Sequence, residues 1–137
     1  MSRPILLDTC ALIWIQNGDV LGEDAEAALQ EAAATTGQVA VSPISAWEVG
    51  QLVSKGRLKI AVEPLTWFQE ALDGGMVLAP MPPSILVAAS FLPGPTLRDP
   101  ADRIMAATAR AFGFRLMTRD RPLLDVAREG HLQAIAC

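Results

Sequence analysis

The sequence has few of the residues that build zinc centres, disulfide frameworks or nucleophilic triads. Its 137 residues include two cysteines, Cys10 and Cys137, and a single histidine, His131. Two cysteines give neither a zinc knuckle nor a disulfide framework, so we expect both to be reduced. His131 follows a glycine and is discarded as a general base. Acyl transfer and nucleoside triphosphate chemistry lack support, because the chain has no G-x-S-x-G motif and no glycine-rich phosphate loop.

Long hydrophobic segments and an excess of positive charge are also absent. No apolar run reaches the ~18 to 20 residues that cross a bilayer, and the N-terminus lacks the parts of a signal peptide. We therefore expect a soluble, cytoplasmic protein without a membrane partner. The net charge of −4 argues against a domain that coats nucleic acid non-specifically. A nuclease whose acidic residues bind metal ions stays compatible with that charge.

What the chain does contain is an alternation of short apolar runs and amphipathic segments. Hydrophobic residues make up 51% of the sequence, which excludes disorder. Strands are predicted at residues 4–8, 39–41, 76–79, 114–118 and 132–136, with helices between them. This order predicts one α/β domain over residues 1–137, with three layers (α/β/α) around a mainly parallel sheet of four to five strands.

Two of the predicted helices carry specific expectations about burial. In the helix from Pro64 to Leu72, Leu65, Phe68 and Leu72 are expected to point inward. The helix from Ser84 to Leu92 is apolar nearly all round, so we expect it to be buried on more than one side, with part of it in a subunit interface.

Four acidic residues lie at or near the ends of these predicted elements. Asp8 and Asp120 each follow a strand, Glu48 lies between Ile44 and Leu52 on a helix, and Asp102 falls in the first turn of a helix. Three of them have a purely structural alternative: Asp8 as a helix cap, Asp102 as an acid favoured by the helix dipole, and Glu48 as an exposed residue. The functional interpretation is that they meet at one edge of the sheet, where such folds bind ligands.

The segment from Arg98 to Ala107 contains a clear signal for the start of a helix. Asp99 precedes Pro100, which is a strong helix start because the carboxylate accepts first-turn N–H groups and proline at the first position loses no hydrogen bond. Asp99 is therefore predicted to be the cap, which leaves Asp102 for the acidic group.

Carboxylates gathered in one place repel one another, so they either take up protons or bind cations. Hard ions such as Mg²⁺ or Mn²⁺ suit an all-oxygen set, whereas zinc is disfavoured because cysteine and histidine ligands are missing. One or two such ions could activate a water and offset charge on a phosphodiester during its hydrolysis.

Four segments, in this order, resemble the PIN-domain family and, within it, the VapC-type toxins of bacterial toxin–antitoxin pairs. They are Leu6-Leu7-Asp8-Thr9, Ser42-Pro43-Ile44-Ser45-Ala46-Trp47-Glu48-Val49, Arg98-Asp99-Pro100-Ala101-Asp102-Arg103 and Leu116-Met117-Thr118-Arg119-Asp120. Relatives often have histidine and an aromatic residue where this chain has Leu97 and Ala101.

The resemblance implies a metal-dependent endoribonuclease that cleaves RNA and is blocked by a small antitoxin of VapB type. It assigns the acidic quartet to Asp8, Glu48, Asp102 and Asp120 and supporting roles to Thr9 and Thr118. By this analogy Asp99 could touch a metal-bound water, and the protein would form a homodimer.

The sequence allows more than one role for the basic residues and more than one biological function. Arg103, Arg119 and Arg121 are candidate RNA phosphate contacts or salt-bridge partners of nearby acids. The Lys55–Ile60 segment is either a solvated helix end or a small patch that faces phosphates. Besides a toxin, the chain could be an RNA-processing nuclease without an antitoxin, or a non-catalytic binding module with the same fold.

Overall fold

A computed structural model describes residues 3–34 and 38–137. Its strands are β1 (Ile5–Leu7), β2 (Val39–Val41), β3 (Val77–Leu78), β4 (Arg115–Thr118) and β5 (Gln133–Ala136). Its helices are α1 (Thr9–Gln16), α2 (Glu23–Ala33), α3 (Pro43–Ser54), α4 (Pro64–Asp73), α5 (Pro83–Ala88), α6 (Pro100–Phe112) and α7 (Arg121–Arg128).

The five strands form one sheet in the order β3-β2-β1-β4-β5, and every neighbouring pair is parallel. Strand β1 lies at the centre, where Leu6 is in register with Ala40 of β2 and with Leu116 of β4. The carboxyl ends of β1, β2 and β4 therefore lie side by side at one edge of the sheet.

Helices cover both faces of the sheet. All three residues of β1 are fully buried, and because successive strand side chains point to opposite faces, they enter different cores. Ile5 and Leu7 pack in one core with Leu12 and Trp67, whereas Leu6 packs in the other with Met105. The predicted three-layer α/β/α fold with a parallel sheet is confirmed.

Helix α6 begins and ends where the sequence signals place it. The Asp99 carboxylate accepts a hydrogen bond of 2.8 Å from the Ala101 amide, and Pro100 occupies the first turn. At the other end Gly113 adopts a φ of +73°, a left-handed conformation that glycine adopts without a steric penalty.

The expectation that Leu65 points inward is wrong, and α5 differs from its predicted length. Leu65 on α4 is 75% exposed, since the buried face of that helix is built by Trp67, Phe68 and Ala71. Helix α5 is shorter than predicted and buries one side through Ile85, whereas Leu86 and Val87 face outward. Pro93 has no N–H that could bond the Ala89 carbonyl as a continuing helix would require. That carbonyl instead accepts a 2.9 Å hydrogen bond from the Arg103 guanidinium.

Among the described residues, no helix is both long and apolar enough to span a membrane.

Candidate active site

Asp8 lies directly after the central strand β1 and is 95% buried (5% exposed). One carboxylate oxygen, Oδ1, accepts a 2.8 Å hydrogen bond from the Ala11 amide and so caps α1. The other, Oδ2, accepts a 2.6 Å hydrogen bond from the Thr118 hydroxyl at the end of β4. The structural and functional interpretations of Asp8 are therefore compatible, since one oxygen caps a helix while the other faces the neighbouring strand.

Thr118 joins Asp8 to a second acidic residue. Its buried hydroxyl also accepts a 3.0 Å hydrogen bond from the backbone amide of Asp120. The Asp120 carboxylate in turn accepts from the Leu123 amide at 3.3 Å and caps α7. A single hydroxyl thus fixes both the Asp8 carboxylate and the backbone that carries Asp120.

Glu48 approaches the same edge from α3. Its carboxylate accepts a hydrogen bond from the Thr9 hydroxyl, and Thr9 lies next to Asp8 in sequence. The Thr9 and Ser45 hydroxyl oxygens are 2.9 Å apart, and because the Thr9 proton goes to Glu48, Ser45 donates to Thr9. This chain of hydroxyls ties α3 to the start of α1.

Ser45 is a supporting residue that the sequence analysis missed. It is fully buried on α3, three residues before Glu48 and therefore on the same helical face. The sequence showed only a serine one turn before a candidate acidic ligand, and nothing local indicated that it meets the Thr9 hydroxyl.

Asp102 lies in the first turn of α6, and its charge interacts with all the acidic residues described above. Burial, which is the largest cause, and the negative charges of Asp99, Asp120, Glu48 and Asp8 together raise the pKa of Asp102 to about 8. Within the described residues no protein N–H or O–H group donates to this carboxylate. The ionised Asp102 carboxylate is therefore not stabilised by hydrogen bonds, which would otherwise lower its pKa.

The pKa values of Asp8 and Glu48 are raised as well. Burial is the main cause for both carboxyl groups, and it outweighs the hydrogen bonds from Thr118 and Ala11 to Asp8 and from Thr9 to Glu48. Nearby negative charge adds to the increase, from Asp120 at Asp8 and from Asp99 and Asp8 at Glu48. Folding thus brings together carboxyl groups that repel one another when they are ionised.

The chemistry of these side chains fits a hard divalent cation. Among residues 3–34 and 38–137, no three acidic, histidine or cysteine side chains are close enough to enclose one ion directly. Mg²⁺ does not require such a cage, because it keeps several waters and is commonly bound through one or two carboxylates. The donor atoms of this set are all oxygens, and a bound cation would stabilise the ionised carboxylates and so lower their raised pKa values.

The three candidate phosphate contacts have different surroundings. Arg103 donates to the carbonyl oxygens of Ala89 and Leu97, at 2.9 and 2.8 Å, and so holds the loop before α6. Arg119 lies over the Trp14 ring, 3.8 Å from its centroid, and donates to the Cys137 carbonyl. Arg121, the first residue of α7, is exposed and has no side-chain partner within the described residues. Arg121 is thus the most accessible of the three.

We expect the metal-free protein to lose stability as pH rises. The Asp102 pKa is about 8 in the folded state and close to 3.8 when unfolded, so between these values the folded state binds more protons than the unfolded state. The free energy of unfolding therefore falls across that range. In EDTA, thermal denaturation should give a Tm lower by about 2–6 °C at pH 8 than at pH 5.5, and saturating Mg²⁺ should recover it at pH 8. An unchanged Tm on adding Mg²⁺ at pH 8 would contradict a cation site.

Comparison with models of protein families identifies the family of this chain. The model of the PIN domain matches residues 5–129, which is most of the sequence. The chain belongs to the PIN domain family, as the four sequence motifs predicted.

Particular relatives are similar over nearly the whole chain. Ribonuclease VapC22 of Mycobacterium tuberculosis (strain ATCC 25618 / H37Rv) is 33% identical over 120 residues, covering 87% of this chain and 88% of the relative. Two solved structures share the fold. The VapBC2 complex of Rickettsia felis, bound to a DNA fragment from its promoter, matches with a TM-score of 0.71 at 16% identity, covering 98% of both chains. A toxin–antitoxin complex of Klebsiella pneumoniae matches with a TM-score of 0.62 at 22% identity, covering 96% of this chain and 95% of the other.

Proposed function

We propose that this protein is a Mg²⁺- or Mn²⁺-dependent endoribonuclease and the toxin of a toxin–antitoxin pair. The observation that carries the proposal is the acidic cluster formed by Asp8, Glu48, Asp102 and Asp120 at the carboxyl edge of the parallel sheet, coupled by charge and by the Thr118 and Thr9 hydroxyls. The similarity to a protein named a ribonuclease supports the nuclease class.

In this proposal the four carboxylates together hold one or two ions, each bound directly by at most two of them and otherwise through waters, and each neighbouring group has a positioning role. Thr118 and the Ala11 amide fix both oxygens of Asp8, and Thr9 orients Glu48. Asp99 caps α6 and adds negative charge beside Asp102. A bound divalent ion would supply a more acidic water and offset charge on the phosphodiester. Arg121, and Arg119 beside it, are the candidate phosphate contacts, whereas the hydrogen bonds of Arg103 favour a structural role.

The proposed partners are an RNA substrate, a small antitoxin of VapB type and a second copy of the chain. The solved structures with this fold include VapBC and toxin–antitoxin complexes. Around α5, Leu86, Val87 and Phe91 are 45, 62 and 81% exposed, a surface that contact with another chain would cover. Sedimentation of the purified chain measures whether it dimerises.

Cleavage of a structured RNA tests the proposal. We expect the purified chain to cut RNA in Mg²⁺ or Mn²⁺, to stop when EDTA is added, and to resume when the ion is restored. Asp8→Asn should remove cleavage, because the amide keeps an oxygen for the Ala11 amide but carries no charge for an ion.

Asp19→Asn is the matched control, since Asp19 is an exposed aspartate in the turn after α1. It should cleave like the unmodified chain. Equal cleavage by Asp8→Asn would indicate a contaminating nuclease and would overturn the proposal.

A further inference from the structure

A groove of about 660 Å³ opens beside the acidic cluster. It runs between α3 and the segment that begins α6. Thr9 and Glu48 line it on the side of the acidic cluster, and its other walls include Trp47, Gln51, Lys55, Arg57 and Arg98. We call it the basic groove. Anything bound along it would also reach the acidic cluster, because Glu48 belongs to both.

Trp47 presents a large aromatic surface to this groove. Its side chain is 58% exposed, although it lies on α3 next to the half-buried Glu48. The other two tryptophans are occupied: Trp67 is 6% exposed in the core, and the Trp14 ring is covered by the Arg119 guanidinium. A flat ring open to solvent is a surface on which a nucleobase stacks.

Three cations line the same groove without protein partners. Lys55, Arg57 and Arg98 are exposed, and in the described part of the chain none of their side chains makes an ion pair or hydrogen bond. The carboxylates of Glu48 and Asp99 line the groove as well, so its formal charge is +1, whereas the chain as a whole carries −4. The groove is complementary to a polymer that carries regularly spaced negative charge.

We propose that the basic groove binds an unpaired stretch of the RNA substrate, with one base stacked on Trp47 and adjacent phosphates contacting Lys55, Arg57 and Arg98. The proposal rests on the proposed ribonuclease function and assigns the binding of one base and its adjacent phosphates to these four side chains. Bases inside a duplex already stack on their neighbours, so only a splayed, single-stranded base can cover the indole. Substrates would therefore be cut in loops or single strands.

Tryptophan fluorescence tests this binding separately from cleavage. We would titrate the Asp8→Asn chain, in Mg²⁺, with a short single-stranded RNA and with the same sequence as a duplex. The single strand should quench fluorescence, and Trp47→Phe should remove most of the quenching, because the remaining tryptophans are buried or covered. Trp47→Ala should weaken binding about tenfold or more, whereas Phe112→Ala, which removes an exposed aromatic outside the groove, should leave it unchanged.

Salt dependence tests the cations. For a single strand, each lost phosphate contact lowers the slope of log affinity against log salt by about 0.7. Arg57→Ala should show this decrease. Lys59→Ala should not, since Lys59 is an exposed cation of the same segment that does not line the groove.

In the otherwise unmodified chain, Trp47→Ala should raise KM for a single-stranded substrate more than it lowers kcat. An abasic nucleotide at the stacked position should cancel that effect of the variant. Equal binding of duplex and single strand, or quenching that survives Trp47→Phe, would overturn the proposal. So would a groove that binds an antitoxin peptide but no RNA. These outcomes leave the cleavage test of Asp8→Asn intact, so failure of the groove and failure of the ribonuclease function are distinguishable.

Discussion

Asp102→Asn should abolish RNA cleavage while making the metal-free protein more stable. The variant removes the carboxylate whose pKa is raised to about 8 by burial and by four neighbouring acids. Changes to groups that only orient metal ligands already cost about 10- to 100-fold in activity or affinity. Loss of a proposed ligand itself should lower kcat/KM by at least about a hundredfold, measured with a fluorogenic RNA in saturating Mg²⁺.

Stability should change in the opposite direction. An uncharged amide does not repel Asp8, Glu48, Asp99 or Asp120, so in EDTA at pH 8 the variant should have a higher Tm than the unmodified chain and a smaller response to Mg²⁺. Asp24→Asn is the matched control, because Asp24 is an exposed aspartate in the first turn of another helix, α2, and it should leave cleavage and the response to Mg²⁺ unchanged. An Asp102→Asn chain that still cleaves RNA fully would contradict the proposed role.

Thr118→Val should lower both activity and stability. The Thr118 side chain is fully buried, and its hydroxyl donates to the Asp8 carboxylate and accepts from the Asp120 amide. Valine has nearly the same shape but leaves both partners without their hydrogen bond, which should cost about 1–3 kcal/mol in the free energy of unfolding. Because Thr118 positions a proposed ligand, cleavage should fall by about 10- to 100-fold.

Two controls separate positioning from general damage. Thr118→Ser keeps the hydroxyl and should restore most of the cleavage. Thr108→Val removes another buried threonine hydroxyl, one that bonds the Ile104 carbonyl within α6, away from the carboxylates. It should leave kcat and KM unchanged. If Thr118→Val and Thr108→Val had the same effect on cleavage, the positioning role would be wrong.

The sequence predicted those features that local signals determine. A short apolar run that ends in aspartate marked both Asp8 and Asp120, and Asp99 before Pro100 marked the start of α6. These signals depend on residues one to four positions apart, so they survive in any tertiary context. The alternation of elements then limited the fold to a parallel sheet with helices on both faces.

The errors and omissions concern contacts between distant segments. Leu65 is apolar but exposed, because the face that a helix buries depends on what packs against it. The Ser45 to Thr9 hydrogen bond joins residues 36 positions apart, and no local pattern indicates it. The exposure of Trp47 was also missed, since a tryptophan in an apolar helix is usually a packing residue.

Electrostatic coupling was predicted only in outline. Repulsion among acids at one edge was expected, but the pKa of about 8 at Asp102 depends on its burial and on Asp99, which the sequence analysis treated mainly as a cap. Such values require the three-dimensional arrangement of every charge around the group.

The pairing of β1 with β4 has a consequence for the biosynthesis of this protein. Asp8 and the Thr118 hydroxyl that orients it are 110 positions apart, and Asp120 follows still later. A growing polypeptide on the ribosome therefore holds an incomplete set of carboxylates until nearly all of it has emerged. For the proposed toxin function this means that the nascent chain would lack a complete site during that interval, and that an antitoxin made beforehand would meet it on release.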